Sequence, residues 1–149
     1  MKKLTIFWFR RDLRLDDNVG LYNALNGSND VIPIFIFDSN IINKLPNNDP
    51  RIKIIHNALV TMNNVLKKYE INIACFKGNP LNIFKDLVKK NIVDKVIFNH
   101  DYEPYARNRD KEIISFLELN NVEFRSYKDH VVFEKSEVVK NDGSPYKVY

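Results

Sequence analysis

Apolar residues fall into five short runs, at residues 4–9, 31–37, 71–77, 93–99 and 122–127, each bounded by polar or turn-forming residues. Continuous apolar runs of this length mark strands buried on both faces, as in parallel sheets. Between the runs the spacing changes to threes and fours. Asp17 or Asn18 is placed to cap a short helix through Asn26, with Val19, Tyr22 and Leu25 on its buried face. From about Arg51 a longer helix is predicted, with Ile55, Ala58, Leu59, Met62, Val65, Leu66 and Tyr69 facing the core. Pro80 suits the first position of a third helix, buried through Leu81, Phe84, Leu87 and Val88. Pro104 opens a fourth, buried through Ala106, Ile113, Phe116 and Leu117. Residues 39–50, with Pro46 and Pro50, are long for a connection inside an α/β unit, where roughly two to six residues are usual. Such a connection is placed to wall or cover a crevice.

Five strands alternating with four helices require a parallel sheet with right-handed crossovers. The expected fold is therefore α/β: a five-stranded parallel sheet of Rossmann-like topology with helices on both faces, in the commonest order for this layout, 3-2-1-4-5. In that order the first and fourth strands are neighbours, and a crevice opens at their carboxyl ends where the connections diverge. Charge collects at those ends. Arg10, Arg11 and Arg14 follow the first strand, Asp101 and Glu103 the fourth, and Asp38 ends the second. A run of arginines and aspartates can serve only to solubilise a loop, since surface ion pairs are common and weak. Here the topology brings Arg10 and Arg11 toward Asp101 and Glu103, which points to a ligand crevice. Of the aromatic pair in the second strand, Phe35 and Phe37 are expected on opposite faces, so that at most one faces that crevice.

Composition narrows what the crevice takes. The chain has 149 residues, 44% hydrophobic and 28% charged, as expected for one soluble globular domain. No apolar run approaches the roughly 20 residues of a membrane span. Met1-Lys2-Lys3 resembles a signal peptide only superficially, because the short apolar run after it leads straight into arginines. A cytoplasmic location with no membrane partner is expected. The single cysteine, Cys75, excludes an internal disulfide and is expected to pack within its strand. The net charge of +4 permits an anionic partner, but lysines scattered among acids are no nucleic-acid footprint. Glycine is scarce, at 4 residues, and no G-x-G-x-x-G or Walker pattern follows any strand, which argues against a pyrophosphate cradle. His56, His100 and His130 are far apart, and only His100-x-x-Glu103 has loosely suggestive spacing, so no metal is expected. No serine or cysteine sits in an elbow-type turn, and no catalytic residue is assigned. Cations beside carboxylates suit a planar heterocycle with donor and acceptor edges.

Trp8-Phe9-Arg10-Arg11-Asp12-Leu13-Arg14-Leu15-Asp16-Asp17-Asn18 closely resembles the N-terminal signature of the DNA photolyase and cryptochrome family. Two further stretches agree in order and spacing. They are Asn99-His100-Asp101-Tyr102-Glu103-Pro104-Tyr105 with Arg107, Arg109 and Asp110, and Asp142-Gly143-Ser144-Pro145-Tyr146-Lys147-Val148-Tyr149. Pro33-Ile34-Phe35-Ile36-Phe37-Asp38 and Gly78-Asn79-Pro80 also fit.

The resemblance implies an antenna-binding α/β domain over residues 1–130 and the start of an interdomain linker over 131–149. A larger helical domain that binds the catalytic flavin adenine dinucleotide (FAD) would follow, making the chain a fragment or a split gene product. The full-length relative implied is a deoxyribodipyrimidine photolyase, a carbon–carbon lyase that splits pyrimidine dimers in damaged DNA with light. A cryptochrome photoreceptor, or a free-standing nucleotide-binding or interaction module of the same fold, are the alternatives. Within this domain the resemblance implies an antenna pocket formed by Arg10, Phe35, Ile36, Asp38, Asp101 and Glu103, with Arg51 at its far wall. The antenna would be a folate, a deazaflavin or a second flavin. Arg11, Asp12 and Arg14 would serve mainly as ion pairs that fix the loop or meet the helical domain.

Overall fold

A computed structural model describes residues 3–90, 92–134 and 137–144. In chain order the elements are β1 (Leu4–Phe9), α1 (Val19–Leu25), β2 (Asp30–Asp38), α2 (Ser39–Ile42), α3 (Pro50–Leu66), β3 (Ala74–Gly78), α4 (Pro80–Lys90), β4 (Val93–Asn99), α5 (Pro104–Leu119) and β5 (Glu123–Tyr127). A single 3-10 turn, Lys67–Tyr69, ends α3. All four strand pairings are parallel and the order is β3-β2-β1-β4-β5. The expected α/β class and strand order are those observed.

The sheet separates two apolar layers. On one side Ile6, Trp8, Ile34, Ile36, Val96 and Phe98 meet Phe84 of α4 and Ile113 and Leu117 of α5. On the other, Phe7, Phe9, Phe35 and Ile97 meet Leu21 and Ala24 of α1 and Leu59 and Met62 of α3. Alternate residues of each strand feed alternate layers, as the two-residue period of a strand requires. Prolines at the first turns of α3, α4 and α5 forfeit no helical hydrogen bond there. Asp49 caps α3 by accepting from the Arg51 amide at 2.9 Å.

Five expectations change. First, Val19, Tyr22 and Leu25 of α1 lie outward, and its buried residues are Gly20, Leu21 and Ala24. Glycine is the reason. A Cβ at Gly20 would stand 2.5 Å from Asn99 Oδ1 and 2.9 Å from the Phe7 ring, so the bare backbone is the face that presses on the sheet. Second, Phe35 and Phe37 share a face, because residues two apart always do. Their rings meet edge to face with centroids 4.9 Å apart. Third, Val65 and Tyr69 are exposed: Val65 stands at the flank of the α3 face that packs through Ile55, Leu59, Met62 and Leu66, and Tyr69 falls in the 3-10 turn after it. Fourth, Cys75 is exposed rather than packed, because β3 is an edge strand with a neighbour on one side only. Fifth, the connection after β2 contains a helix of its own, α2, capped by Asp38, whose carboxylate accepts from the Asn40 amide at 2.9 Å. The turn expected near Asn141 is present, closed by the Gly143 amide on the Lys140 carbonyl at 2.9 Å. Pro145 to Tyr149, part of the third family-like stretch, lie outside the described residues.

Candidate functional site

At the carboxyl end of β1 the chain must turn two charged side chains out of a strand that is apolar but for Thr5. A buried polar knot fixes that turn. The Asp12 carboxylate accepts from the Arg10 amide at 2.8 Å, from Asn99 Nδ2 at 2.6 Å and from Asn18 Nδ2 at 3.2 Å. Asn99 Nδ2 also donates to Asn18 Oδ1 at 2.8 Å, and Asn99 Oδ1 accepts from the Gly20 amide at 2.9 Å. Asn18 Oδ1 in turn accepts from the Leu21 amide, so the cap of α1 belongs to the same knot. Asp12, Asn18 and Asn99 are all buried. Full pairing is what makes three polar side chains tolerable there.

Arg10 turns inward above this knot. Its Nη1 donates to both oxygens of Asp110, at 2.7 and 2.6 Å, and its Nη2 to the Asn99 carbonyl. The guanidinium lies over Trp8 and Phe98, 5.1 and 4.7 Å from their ring centres. Burial pushes its pKa down, and the Asp110 carboxylate opposes that. Arg11 takes the outward course. It reaches Asp101 Oδ2 at 3.6 Å and Glu103 Oε1 at 3.4 Å, so the basic exit of β1 and the acidic exit of β4 meet as neighbours. Arg14 pairs with Asp129 at 2.8 Å and with the Asp17 carbonyl, which ties the loop to the chain beyond β5. These are the loop-fixing contacts expected of Arg11, Asp12 and Arg14.

A cavity of about 660 Å³ opens beside these exits. Its floor is the end of the sheet, with Trp8, Phe9, Phe35, Ile36 and Phe37. One wall is the α2 segment and the start of α3, and is largely apolar through Ile41, Ile42, Leu45, Ile52 and Ile55. The opposite wall is polar and comes from the β4–α5 junction, with Asp101, Glu103, Tyr105 and Arg109. All seven sequence-derived site residues, Arg10, Phe35, Ile36, Asp38, Arg51, Asp101 and Glu103, line this one cavity. They do not present themselves equally. Arg10 is engaged inward. Arg51 is exposed and forked onto Asp49, by Nε at 2.8 Å and Nη2 at 2.6 Å. That fork, with the cap bond, holds the Asp49 carboxyl down to about 2. Asp38 is buried, its Oδ1 accepting from Asn40 and its Oδ2 from the Tyr105 hydroxyl at 2.7 Å.

Tyr105, Arg109 and Asn40 have no role in the sequence-derived set. Asn40 Nδ2 donates to Tyr105 Oη at 3.1 Å, which closes a triangle with Asp38. Burial first, then the hydrogen bond to Asp38, pushes the Tyr105 hydroxyl pKa up. The available signal was helical spacing: once Pro104 opens α5, Tyr105 and Arg109 stand one turn apart on one face. A smaller hollow of about 280 Å³ lies alongside, lined in part by His100, Tyr102 and His130. His100 spends both ring nitrogens on neighbours, Nδ1 with Glu134 at 2.5 Å and Nε2 with Ser126 Oγ at 3.0 Å. Glu103 is paired instead with Arg11, so the His100-x-x-Glu103 spacing does not form a joint site. Among the described residues no group of three or more His, Cys, Asp or Glu side chains is placed to hold a metal.

Fold and site together define a doubly wound α/β domain with a ligand-sized crevice at its topological switch point. The DNA photolyase family profile matches residues 5–149. The chain belongs to the DNA photolyase family. It is 27% identical to the deoxyribodipyrimidine photo-lyase of Synechococcus sp. strain PCC 6301, over 97% of this chain and 30% of that protein. A class III photolyase from Agrobacterium tumefaciens superposes with a TM-score of 0.87 at 28% identity, over all of this chain and 30% of the other. The Sulfolobus tokodaii photolyase, solved with two FAD molecules that implicate a novel light-harvesting cofactor in that protein, superposes at 0.80 with 33% identity, over 92% of this chain and 32% of the other. Cryptochromes are also among the relatives. The chain spans about three-tenths of the length of the photolyases it matches.

Proposed function

We propose that this chain is the light-harvesting α/β domain of a deoxyribodipyrimidine photolyase, with its antenna chromophore seated in the crevice beside Arg10, Phe35, Ile36, Asp38, Arg51, Asp101 and Glu103. The observation that carries the reading is the two-sided cavity at the β1/β4 switch point, polar along α5 and apolar along α2 and α3. A flat conjugated ring with a hydrogen-bonding edge fits such a slot, since the apolar wall takes its faces and the polar wall its edge. The shared fold of the two solved photolyases supports the reading, and so does the light-harvesting cofactor implicated in the Sulfolobus tokodaii protein.

When bound, the chromophore supplies absorption of blue or near-ultraviolet light. The residues of this chain bind, orient and shield it. Trp8, Phe35 and Phe37 give an aromatic floor, and Ile41, Ile42 and Ile52 exclude water from one face. Arg10 works from beneath by clamping Asp110 and hence α5. The electron transfer that splits a pyrimidine dimer is assigned to an FAD-binding helical domain and the damaged DNA it receives, as partners of this domain. Residues 1–130 are then the antenna domain, and 131–149 start the segment leading to those partners.

The test is an absorption spectrum. The purified protein is incubated with a reduced folate, a flavin and a deazaflavin in turn and then desalted. A retained band at longer wavelength than the protein's own aromatic absorption is the expected result. A bare aromatic spectrum after all three overturns the proposal.

A further inference from the structure

Arg109 and Asp38 face each other at the inner end of the cavity without meeting. Both side chains are nearly buried, 9% and 4% exposed, and both line the cavity. Arg109 spends Nε and Nη2 on Asp110 Oδ1, at 3.2 and 3.0 Å, and lies over Trp8 at 4.7 Å. Its Nη1 stands 3.9 Å from Asp38 Oδ2, beyond the roughly 2.7–3.2 Å of an N–H···O bond. Each Asp38 oxygen accepts one bond, from Asn40 or Tyr105, so lone pairs remain on both. A cation and a carboxylate held short of contact at the cavity surface keep hydrogen-bonding positions that a ligand entering the cavity can take up.

We propose that Arg109 Nη1 and Asp38 Oδ2 together read a cyclic amide edge, a ring carbonyl beside a ring N–H, on a planar heterocycle. The carbonyl accepts from Arg109 and the ring N–H donates to Asp38. This rests on the crevice being the chromophore site and assigns the two groups that read the amide edge shared by folate, flavin and deazaflavin rings. The dimensions agree. In an amide the oxygen and nitrogen lie about 2.3 Å apart by standard bond lengths. Two hydrogen bonds of about 2.9 Å, drawn from protein atoms 3.9 Å apart, converge on that edge with only a slight inward lean. Ring closure matters as well. A ring holds its amide cis, with C=O and N–H on one side, whereas an open-chain amide is trans and points them apart. Tyr105 and Asn40 fix the carboxylate in place. Alkylating the ring nitrogen would set a methyl group against Asp38 and leave its carboxylate unmatched, the kind of mismatch that polar sites reject most strongly.

The test compares two ligand pairs on the unaltered protein: riboflavin with 3-methylriboflavin, and 6-methylpterin with 3,6-dimethylpterin. Trp8 is the only tryptophan and lines the cavity, so quenching of its fluorescence reports occupancy. In whichever pair binds, N-methylation is expected to weaken affinity about tenfold or more, the scale of a lost charge-assisted hydrogen bond. Arg109→Met should weaken the unmethylated ligand by a similar factor. Equal affinities within a pair overturn this inference and leave the crevice as a binding site. Failure of all four ligands to bind overturns this inference, while the chromophore reading falls only if the reduced folate, the flavin and the deazaflavin are all released on desalting.

Discussion

At the scale of single residues, the site depends on groups that never touch a ligand. Gly20 is the clearest. Its amide bonds Asn99, and the space where a Cβ would go is already filled by Asn99 Oδ1 and the Phe7 ring. Gly20→Ala is expected to cost roughly 1–3 kcal/mol as an overpacking change, read as a lowered urea midpoint at unchanged m. A near-neutral result would show that α1 can lift off the sheet without loss. Arg10 illustrates what a sequence hides. Its position after β1 was legible, and so was the acidic cluster opposite. Its true partner, Asp110, was not, because nothing local distinguishes one carboxylate of α5 from Asp101 or Glu103. Cys75 was misplaced for a related reason. An apolar run shows that a strand exists, but only its place in the sheet shows whether both its faces are covered.

At the scale of elements, helical spacing predicted α4 and α5 with their core faces, since Phe84, Ile113 and Leu117 are fully buried. It overreached on α3, where Val65 lies at the flank of the packed face and not within it. The contrast is testable. Leu59→Ala, in the buried half of that face, should cost roughly 2–5 kcal/mol. Val65→Ala, on its exposed flank, should stay within about 0.5 kcal/mol. Equal effects in chemical denaturation would refute the assigned face. The start of the same helix is sensitive to acid. The carboxyl of Asp49 is lowered by Arg51 to about 2, against about 3.9 in an unfolded chain. Its contribution is therefore complete above the unfolded value and disappears as pH falls through the folded one. Between about pH 4 and pH 2 the protein should lose stability that Asp49→Asn does not lose, measured as the difference in melting temperature between the two proteins. Parallel acid profiles would show that the fork to Arg51 is inconsequential.

At the scale of the molecule, the strand order was reached from alternation, handedness and the commonest layout for such a chain, and it is what joins two charge-rich segments about ninety residues apart. That residues 39–50 wall the cavity was legible from their length, but the apolar character of that wall was not. It comes from α2 and the turn after it, where asparagines and prolines read as loop. Asp101 belongs to both the cavity and the charged rim, since it lines the one and pairs with Arg11 in the other. Because Arg11 is largely exposed and the pair is long, Asp101→Ala should cost less than about 1 kcal/mol of stability. It should nevertheless weaken a bound chromophore measurably in an absorbance titration. Marked unfolding with unchanged affinity would make Asp101 a purely structural group.

The knot of Asp12, Asn18, Asn99 and Gly20 spans the ends of two central strands and the start of a helix, and every buried side-chain polar atom in it is partnered. Such a junction has no partial way to come undone, since releasing one member strands the others away from solvent. In deuterated buffer, the amide protons of Arg10 and Gly20 should therefore be replaced only through whole-chain opening, at the slow limit set by global stability. Early replacement at those two amides would reveal a hinge where the bonding pattern leaves no room for one.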